Sequence, residues 1–508
     1  MKKIMMITAG LLLTLTGCRQ ESDNVMSYAF NDAMAFQKAD TSFVGEFEVL
    51  WNGMNNNYAL WDYELENGLD WDNVYRKYYP RFEELDEKES VTDEELGNLL
   101  NEIVKPLHDG HVVIKLKNHS TGNYVTASPS HLRVENEREE EYKAATDFLP
   151  SLKYYQDKGK VLEMRRTSTN IVGQIYRIMS AYIEEQITGL EQKTDRTRDE
   201  EERLNAFQSA YNDLWQILET DNLNAYNEFA IRYEWLHIPY LEPINLNLYE
   251  HPLDITYALL EGNIAYLSFD HFRLSAYLDP DFCQEFFGQP TGLTKLVIES
   301  VQNIWYSWFS AIQELKKAGN LGGVIIDVRS NGGGMLDDYR YVLGALMPSG
   351  GHHVADARFK RGTGRFDYSP IMPQYMRTLE MEHQTITEPI VVLCNCKSIS
   401  MAEMTSMGAK VLENGTLIGT RTWGGFSALS SSEQYSNNYA GYVGIQNVTP
   451  VFCYIPQEVT FSILDGKIVE GHGVEPDIEV PMDFNAWNKG NGPDSQLDRA
   501  LRFIRMGN

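Results

Sequence analysis

Pro389 to Leu412, P-I-V-V-L-C-N-C-K-S-I-S-M-A-E-M-T-S-M-G-A-K-V-L, decides how this chain folds. Ile390 to Cys394 is a short, unbroken apolar run rich in β-branched residues, the pattern of a strand covered on both faces as in α/β sheets. Met401, Met404, Gly408 and Val411 then recur at spacings of three and four residues, which predicts a helix entered near Ser400. A hydroxyl there sits where backbone N–H groups point outward and the helix dipole favours negative charge. Acyl transfer is the chemistry that suits it: the Ser400 oxygen attacks a carbonyl, and its own N–H or that of Met401 helps hold the oxyanion. A plainer reading stays open, because Ser400 with Glu403 three residues on also makes the capping box that closes many helices without catalysis.

Upstream, Ile255 to Leu260 and Ile264 to Phe269 read as strands around the turn Glu261-Gly262-Asn263. An amphipathic helix through Ile304, Trp308, Ile312 and Leu315 ends at Gly319. Gly323-Val-Ile-Ile-Asp-Val-Arg-Ser-Asn-Gly-Gly-Gly334 follows, a buried strand with Asp327 and Arg329 at its carboxyl end, where open α/β sheets build sites. The glycines suit a nest of N–H groups aimed at an oxyanion. A nucleotide loop is the competing reading, and it lacks both G-x-G-x-x-G and a P-loop lysine. Downstream come Leu417 to Gly425, strands through Tyr442 to Val448 and Val451 to Ile455, a hairpin turning at Asp465-Gly466, and Val469-Glu-Gly-His-Gly-Val-Glu-Pro-Asp477. Glu470 in that Gly-rich turn is placed to orient an imidazole, or is a solvated hairpin end.

Phe43 to Val104 is helical in pattern, with Phe47, Leu50, Trp51 and Met54 on one face. Leu96, Leu99, Leu100 and Ile103 mark a further helix opened by a Thr92/Glu95 capping box. That helix runs into Leu107-His-Asp-Gly-His111 and then a strand from Val112 to Leu116. His111, after a turn and before a strand, is placed as a general base, although it could merely pack. A metal site from His108, Asp109 and His111 lacks the spacing for a catalytic ligand set, so no metal or other cofactor is expected. The proline-free, acidic segment between Pro150 and Pro239 predicts a solvated helical hairpin, with runs at Ile171 to Leu190 and Leu204 to Leu218.

Met1-Lys2-Lys3, the apolar run Ile4 to Leu15 and the box Leu15-Thr-Gly-Cys18 have the parts of an export signal. This resembles a bacterial lipoprotein signal, which implies cleavage before Cys18 and a lipid on its thiol, the expected link to the membrane. The expected location is the bacterial cell envelope, on the periplasmic face or the cell surface. A chain of 508 residues, 43% hydrophobic and 12% aromatic, holds ample core for several domains. Its net charge of −28 argues against nucleic acid, since no basic stripe is present to displace counterions from phosphates. Four cysteines beyond Cys18 are too few for a disulfide framework, and C-x-C within a strand would put Cys394 and Cys396 on one face without bridging.

Taken together, D-V-R-S-N-G-G-G at Asp327, S-I-S-M-A-E at Ser398 and G-H-G-V-E-P-D at Gly471 resemble the tail-specific or C-terminal-processing peptidases, the S41 serine peptidases of clan SK. L-H-D-G-H at Leu107 is similar to the L-x-D-x-H of that family's histidine-bearing, tricorn-like branch. Many members carry a base lysine in F-G-K-G, but Trp423-Gly424-Gly425-Phe426 stands there and holds no lysine. The resemblance implies an α/β fold with a crotonase- or ClpP-like β-α catalytic core, an N-terminal helical domain and a helical insertion. It implies a lipid-anchored serine endopeptidase acting on unfolded or extended polypeptide segments, with Ser400 as nucleophile, His111 as base and Glu470 as orienter. Gly333 and Met401 would supply the oxyanion N–H groups, supported by Asp327, Arg329 and Glu403. The family's PDZ domain is not recognisable. A catalytically inactive peptide- or ligand-binding protein on the same fold is the rival, and it is expected to lack one of the three groups. The expected divisions are a signal at 1–17, a tether at 18–40, a helical domain at 41–118, a mainly helical insertion or cap at 119–253, the core at 254–482 and a C-terminal segment at 483–508.

Overall fold

The computed structural model describes residues 42–129, 138–220, 223–239, 241, 253–290, 292–360, 364–427, 442–443, 449–456 and 458–506. Cys18, with the signal and tether expected before residue 41, lies outside them, as does most of the strand expected over Tyr442 to Val448. Two compact units divide the chain. The first runs to Thr146 and takes in His353–Tyr375 and Thr422–Val474; the second is Asp147–His352, Met376–Arg421 and Glu475 onward.

In the first unit, helices α1 (Phe43–Asn57), α2 (Trp61–Glu66), α3 (Trp71–Asp86) and α4 (Asp93–Val104) bury the faces that the apolar spacing predicts. Phe47, Leu50, Met54, Leu96, Leu100 and Ile103 have no exposed surface. The α4 cap forms as its sequence requires, with Glu95 N–H donating to Thr92 Oγ1 at 3.1 Å. Strands β1 (Val113–Lys117) and β2 (Tyr124–Ala127) follow.

The second unit carries the larger sheet. Its strands are β3 (Val161–Arg166), β4 (Ile255–Leu260), β5 (Ile264–Phe269), β6 (Gly323–Asp327), β9 (Ile390–Cys394), β10 (Gly415–Gly419) and β14 (Ile478–Glu479). The remaining strands are β7 (Gly351–Phe359), β8 (Met372–Arg377), β11 (Tyr442–Val443), β12 (Val451–Tyr454) and β13 (Glu458–Ser462). Among the described residues the order is β14-β10-β9-β6-β5-β4-β3 in one sheet, β11-β12-β1-β2 in a second and β13-β7-β8 in a third. From β5 to β14 neighbours are parallel, and β4 and β3 continue antiparallel. β5, β6 and β9 are buried along their whole length, which is why their sequences are continuous apolar runs rather than alternating ones.

Helix α5 (Thr167–Glu191) and α6 (Arg198–Thr220) form the expected hairpin, and α7 (Gly292–Lys317) lies against β4 and β5. Helix α8 (Met401–Lys410) leaves β9, and the C-terminal α9 (Ser495–Met506) packs Leu497, Ala500 and Leu501 on the sheet. Among the described residues, no helix is long and apolar enough to cross a membrane.

The architecture is the mixed α/β one expected, and the compact units cut the chain differently from the expected divisions. β3 falls inside the segment read as mainly helical, yet it forms the edge of the core sheet, with Met164 opposite Ala258. Cys396 lies past the end of β9, so the two C-x-C thiols do not share a strand face; both are buried and neither forms a disulfide.

The loop after β6 is anchored by a buried guanidinium. Arg329 donates from Nε to Asp327 Oδ1 at 2.8 Å and from Nη2 to Asp327 Oδ2 at 2.5 Å, and from Nη1 to Asp494 Oδ1 at 2.9 Å and Gln496 Oε1 at 3.0 Å. Tyr266 adds its hydroxyl to Asp327 Oδ2 at 2.8 Å, and the Phe148 ring lies 4.8 Å from the guanidinium carbon. Among the described residues, Arg329 is the one cation paired with either carboxylate. Arg329→Met therefore leaves two buried carboxylates unpaired, and denaturant unfolding is expected to show a loss of about 3–5 kcal/mol.

Candidate functional site

Ser400 begins α8 within the capping box it makes with Glu403, but its backbone is not that of an ordinary cap. Its backbone lies at φ 56° and ψ −114°, whereas a helix N-cap takes extended φ and ψ. Positive φ at a residue with a Cβ is strained and persists only where the surroundings enforce it. Here they do. The Ser400 N–H donates to Glu403 Oε2 at 3.1 Å, and Glu403 has no exposed surface. Before it, Ser398 Oγ donates to the Val328 carbonyl at 2.7 Å and the Ile399 N–H to the Asn331 carbonyl at 3.0 Å, fastening this turn to the loop after β6. Ser400 itself is part-exposed.

That loop approaches to contact. A Cβ on Gly333, which has φ 87°, would stand 2.6 Å from Ser400 Cβ and 3.0 Å from the Met401 nitrogen, so only glycine fits. The Met401 N–H, at the first helical position, has no acceptor among the described residues. Gly333 departs from its expected role. Its N–H donates to Asn331 Oδ1 at 2.8 Å and its carbonyl accepts from the Phe272 N–H at 2.8 Å, so in this conformation the amide is held inward by Asn331. Asp327 and Arg329 support the loop's base and touch neither Ser400 nor its helix turn. Asn331, Asn395, Asp494 and Gln496 also hold this region and were not singled out from sequence. Asn331 and Asn395 stand inside quoted motifs, while Asp494 and Gln496 lie 165 and 167 residues from Arg329 with no local signal.

His111 and Glu470 belong to the first unit. Glu470 has no exposed surface, which removes the solvated-hairpin reading. Its Oε1 accepts from Gly110 N–H at 2.7 Å, and its Oε2 from Phe426 N–H at 2.9 Å and Ser427 N–H at 2.6 Å. The stretch where lysine is missing thus donates two backbone N–H groups to the carboxylate. A Cβ on Gly110 would stand 2.7 Å from Gly425 Cα, which explains glycine before His111. Asp109, weighed in the sequence only within a metal set with His108 and His111, folds back so that Oδ1 accepts from the N–H groups of His111 at 2.5 Å and Val112 at 3.1 Å. Among the described residues, Asp109 Oδ2 and His111 Nδ1 are buried without a hydrogen-bond partner. One donor atom each from Asp109, His111 and Glu470 lies within 4.8 Å of the others.

Burial pushes the His111 imidazole down to about 4, because the charged ring would lose its hydration. Burial also pushes the Asp109 carboxyl up to about 7, with Glu64 nearby adding to the rise against the two backbone N–H bonds. His108 turns elsewhere, its Nδ1 2.7 Å from Glu64 Oε2, and Glu64 Oε1 also accepts the Tyr58 hydroxyl at 2.9 Å. Lysine chemistry finds no support at Lys410, whose Nζ is 2.5 Å from Asp477 Oδ1.

Residues 292–480 match the model of peptidase family S41. The tricorn protease of Thermoplasma volcanium is 28% identical over 188 residues, which are 36% of this chain and 14% of that protein. The carboxy-terminal-processing protease of Bartonella bacilliformis is 26% identical over 179 residues, 35% of this chain and 36% of that one. The chain thus spans well under half the length of these relatives. A solved chain described as a candidate peptidase from Parabacteroides merdae aligns over 92% of this chain and 98% of its own at 16% identity, with a TM-score of 0.49. The match through residues 292–480, which contain both the Gly-rich loop and Ser400, is what this chain shares with peptidase family S41.

Proposed function

We propose that the protein is a serine endopeptidase hydrolysing extended or unfolded polypeptide segments, with Ser400 as nucleophile, His111 as general base and Glu470 as the carboxylate that orients the imidazole. The observation that carries this reading is the backbone of Ser400. An ordinary capping box needs no strained φ, whereas a nucleophile lifted out of a strand-to-helix turn does. In the reaction, His111 takes the hydroxyl proton as Ser400 Oγ attacks the scissile carbonyl, then returns it to the leaving amine. The negative charge of Glu470 offsets the imidazolium formed in between. The Met401 N–H meets the oxyanion, and Gly333 joins it once its amide leaves Asn331. The match to peptidase family S41 and the proteolytic names of the relatives support polypeptides as substrates.

Kinetics of three variants tests the base. His111→Ala is expected to lower kcat/KM on the order of 10³-fold, while Lys397→Ala and Lys410→Ala stay within a few fold. A His111→Ala enzyme at near wild-type rate ends the assignment. Labelling by a fluorophosphonate is expected to vanish in Ser400→Ala, and labelling that persists there removes Ser400 as nucleophile. The pH profile follows from the buried ring. Because burial disfavours imidazolium, the neutral base persists below the ordinary value of about 6.5. The acid limb of kcat/KM is therefore expected between about 6 and 4, rising with pH.

We also propose that the mature chain begins at Cys18 and is held in the bacterial envelope by lipid on that thiol, on the charged start, short apolar core and terminal cysteine of the signal. Intact mass of detergent-extracted protein is expected to show a chain from Cys18 plus acyl groups. A mass retaining residues 1–17 overturns it.

A further inference from the structure

We infer that Asp109, His111 and Glu470 form an inhibitory zinc site, in which a single Zn²⁺ silences the protein by taking the His111 ring nitrogen that proton transfer needs free. The regulatory half of this inference rests on the proposed role of His111 as base; the metal site itself does not.

Three observations within one unit carry it. The three side chains already bring donor atoms within 4.8 Å of one another, and Zn²⁺ bound at about 2.0–2.2 Å would need them about 3.3 Å apart, a change within reach of side-chain rotation. Asp109 is 1% exposed and its Oδ2 has no hydrogen-bond partner among the described residues; the buried Nδ1 of His111 has none there either. Buried polar atoms are nearly always satisfied, so two orphans on members of one cluster mark a place built to receive something. Glu470 has no exposed surface, so the group sets two carboxylates in low dielectric within one cluster. Two negative charges there are costly, and a divalent cation neutralises both.

The donor set is one imidazole and two carboxylates, which zinc accepts while leaving a fourth position open. It supplies the third ligand that His108, Asp109 and His111 lack along the chain, since His108 is committed to Glu64. The existing bonds tolerate the ion. Asp109 Oδ1 keeps the two backbone N–H groups while Oδ2 binds, and Glu470 would bind through Oε1, which accepts one N–H, from Gly110, where Oε2 accepts two.

Inhibition follows from tautomer chemistry. A neutral imidazole has one lone pair and one N–H on its two ring nitrogens. Once Nδ1 gives its lone pair to zinc, the proton resides on Nε2, which then donates and cannot accept the proton of a serine hydroxyl. The carboxylate that would stabilise the imidazolium is occupied by the same ion.

The test titrates Zn²⁺ alone into the whole chain after chelator dialysis, by calorimetry and equilibrium dialysis. Wild type and Ser400→Ala are expected to bind one Zn²⁺ per chain. Asp109→Asn, which retains an oxygen for the His111 and Val112 N–H groups, is expected to bind at least tenfold more weakly with an unchanged circular dichroism spectrum. Peptide hydrolysis by wild type is expected to fall over the same Zn²⁺ range and to recover with chelator. Stoichiometric binding unaltered in Asp109→Asn, or no stoichiometric binding, overturns the site. Binding that leaves hydrolysis untouched overturns the inhibition. If no peptide is hydrolysed even without zinc, the serine-peptidase reading fails while the binding measurements still decide the site.

Discussion

A single buried guanidinium supports the loop on which the rest of the second unit's chemistry depends. Arg329 follows β6 by two residues and spends four N–H groups on Asp327, Asp494 and Gln496, with no side-chain surface left to water. Removing such a cation is costly because the carboxylates it matched remain buried. The arrangement joins the carboxyl end of a parallel strand to the segment that opens the C-terminal helix. It thereby sets where Ser330, Asn331 and the three glycines begin. Asn331 carries the constraint onward, accepting the Ile399 N–H on its carbonyl and the Gly333 N–H on its side chain. The strained backbone of Ser400 is sustained by this chain of bonds together with the Glu403 side chain of its capping box.

The first unit uses a carboxylate where the second uses a cation. Three backbone N–H groups converge on Glu470, from the residue before His111 and from Phe426 and Ser427. Hydrogen bonds from N–H groups favour the ionised form, so the turn can keep a charge in a site with no exposed surface. The glycines at 110 and 424 let the two backbones come close enough for this convergence. Phe426 serves here through its amide, which shows how a stretch lacking the family's lysine contributes to the site.

The pattern of the chain determined a great deal. Continuous apolar runs specified β5, β6 and β9 because both faces of a parallel sheet are covered, and the three- and four-residue spacing after Ser400 specified α8. The turns at Gly262 and Asp465-Gly466 were legible from residue chemistry alone. Ser400, His111 and Glu470 could be picked out because their motifs are local: a hydroxyl at a helix start, an imidazole after a turn, a carboxylate among glycines.

Tertiary structure alone decided the rest, since pairing and burial depend on partners far along the chain. β3 became the edge of the core sheet because β4 offered it a ladder, although its own residues carry little strand pattern. Asp494 became Arg329's second carboxylate across 165 residues, a relation no local spacing encodes. The Gly333 amide was expected as an outward donor from the family resemblance, but in this structure its direction is set by Asn331, which the folded loop brings within 2.8 Å. Asp109 stood in the sequence in a metal set short of a ligand until folding buried it in one cluster with His111 and Glu470, because the sequence states a carboxyl's identity while only the fold removes its water.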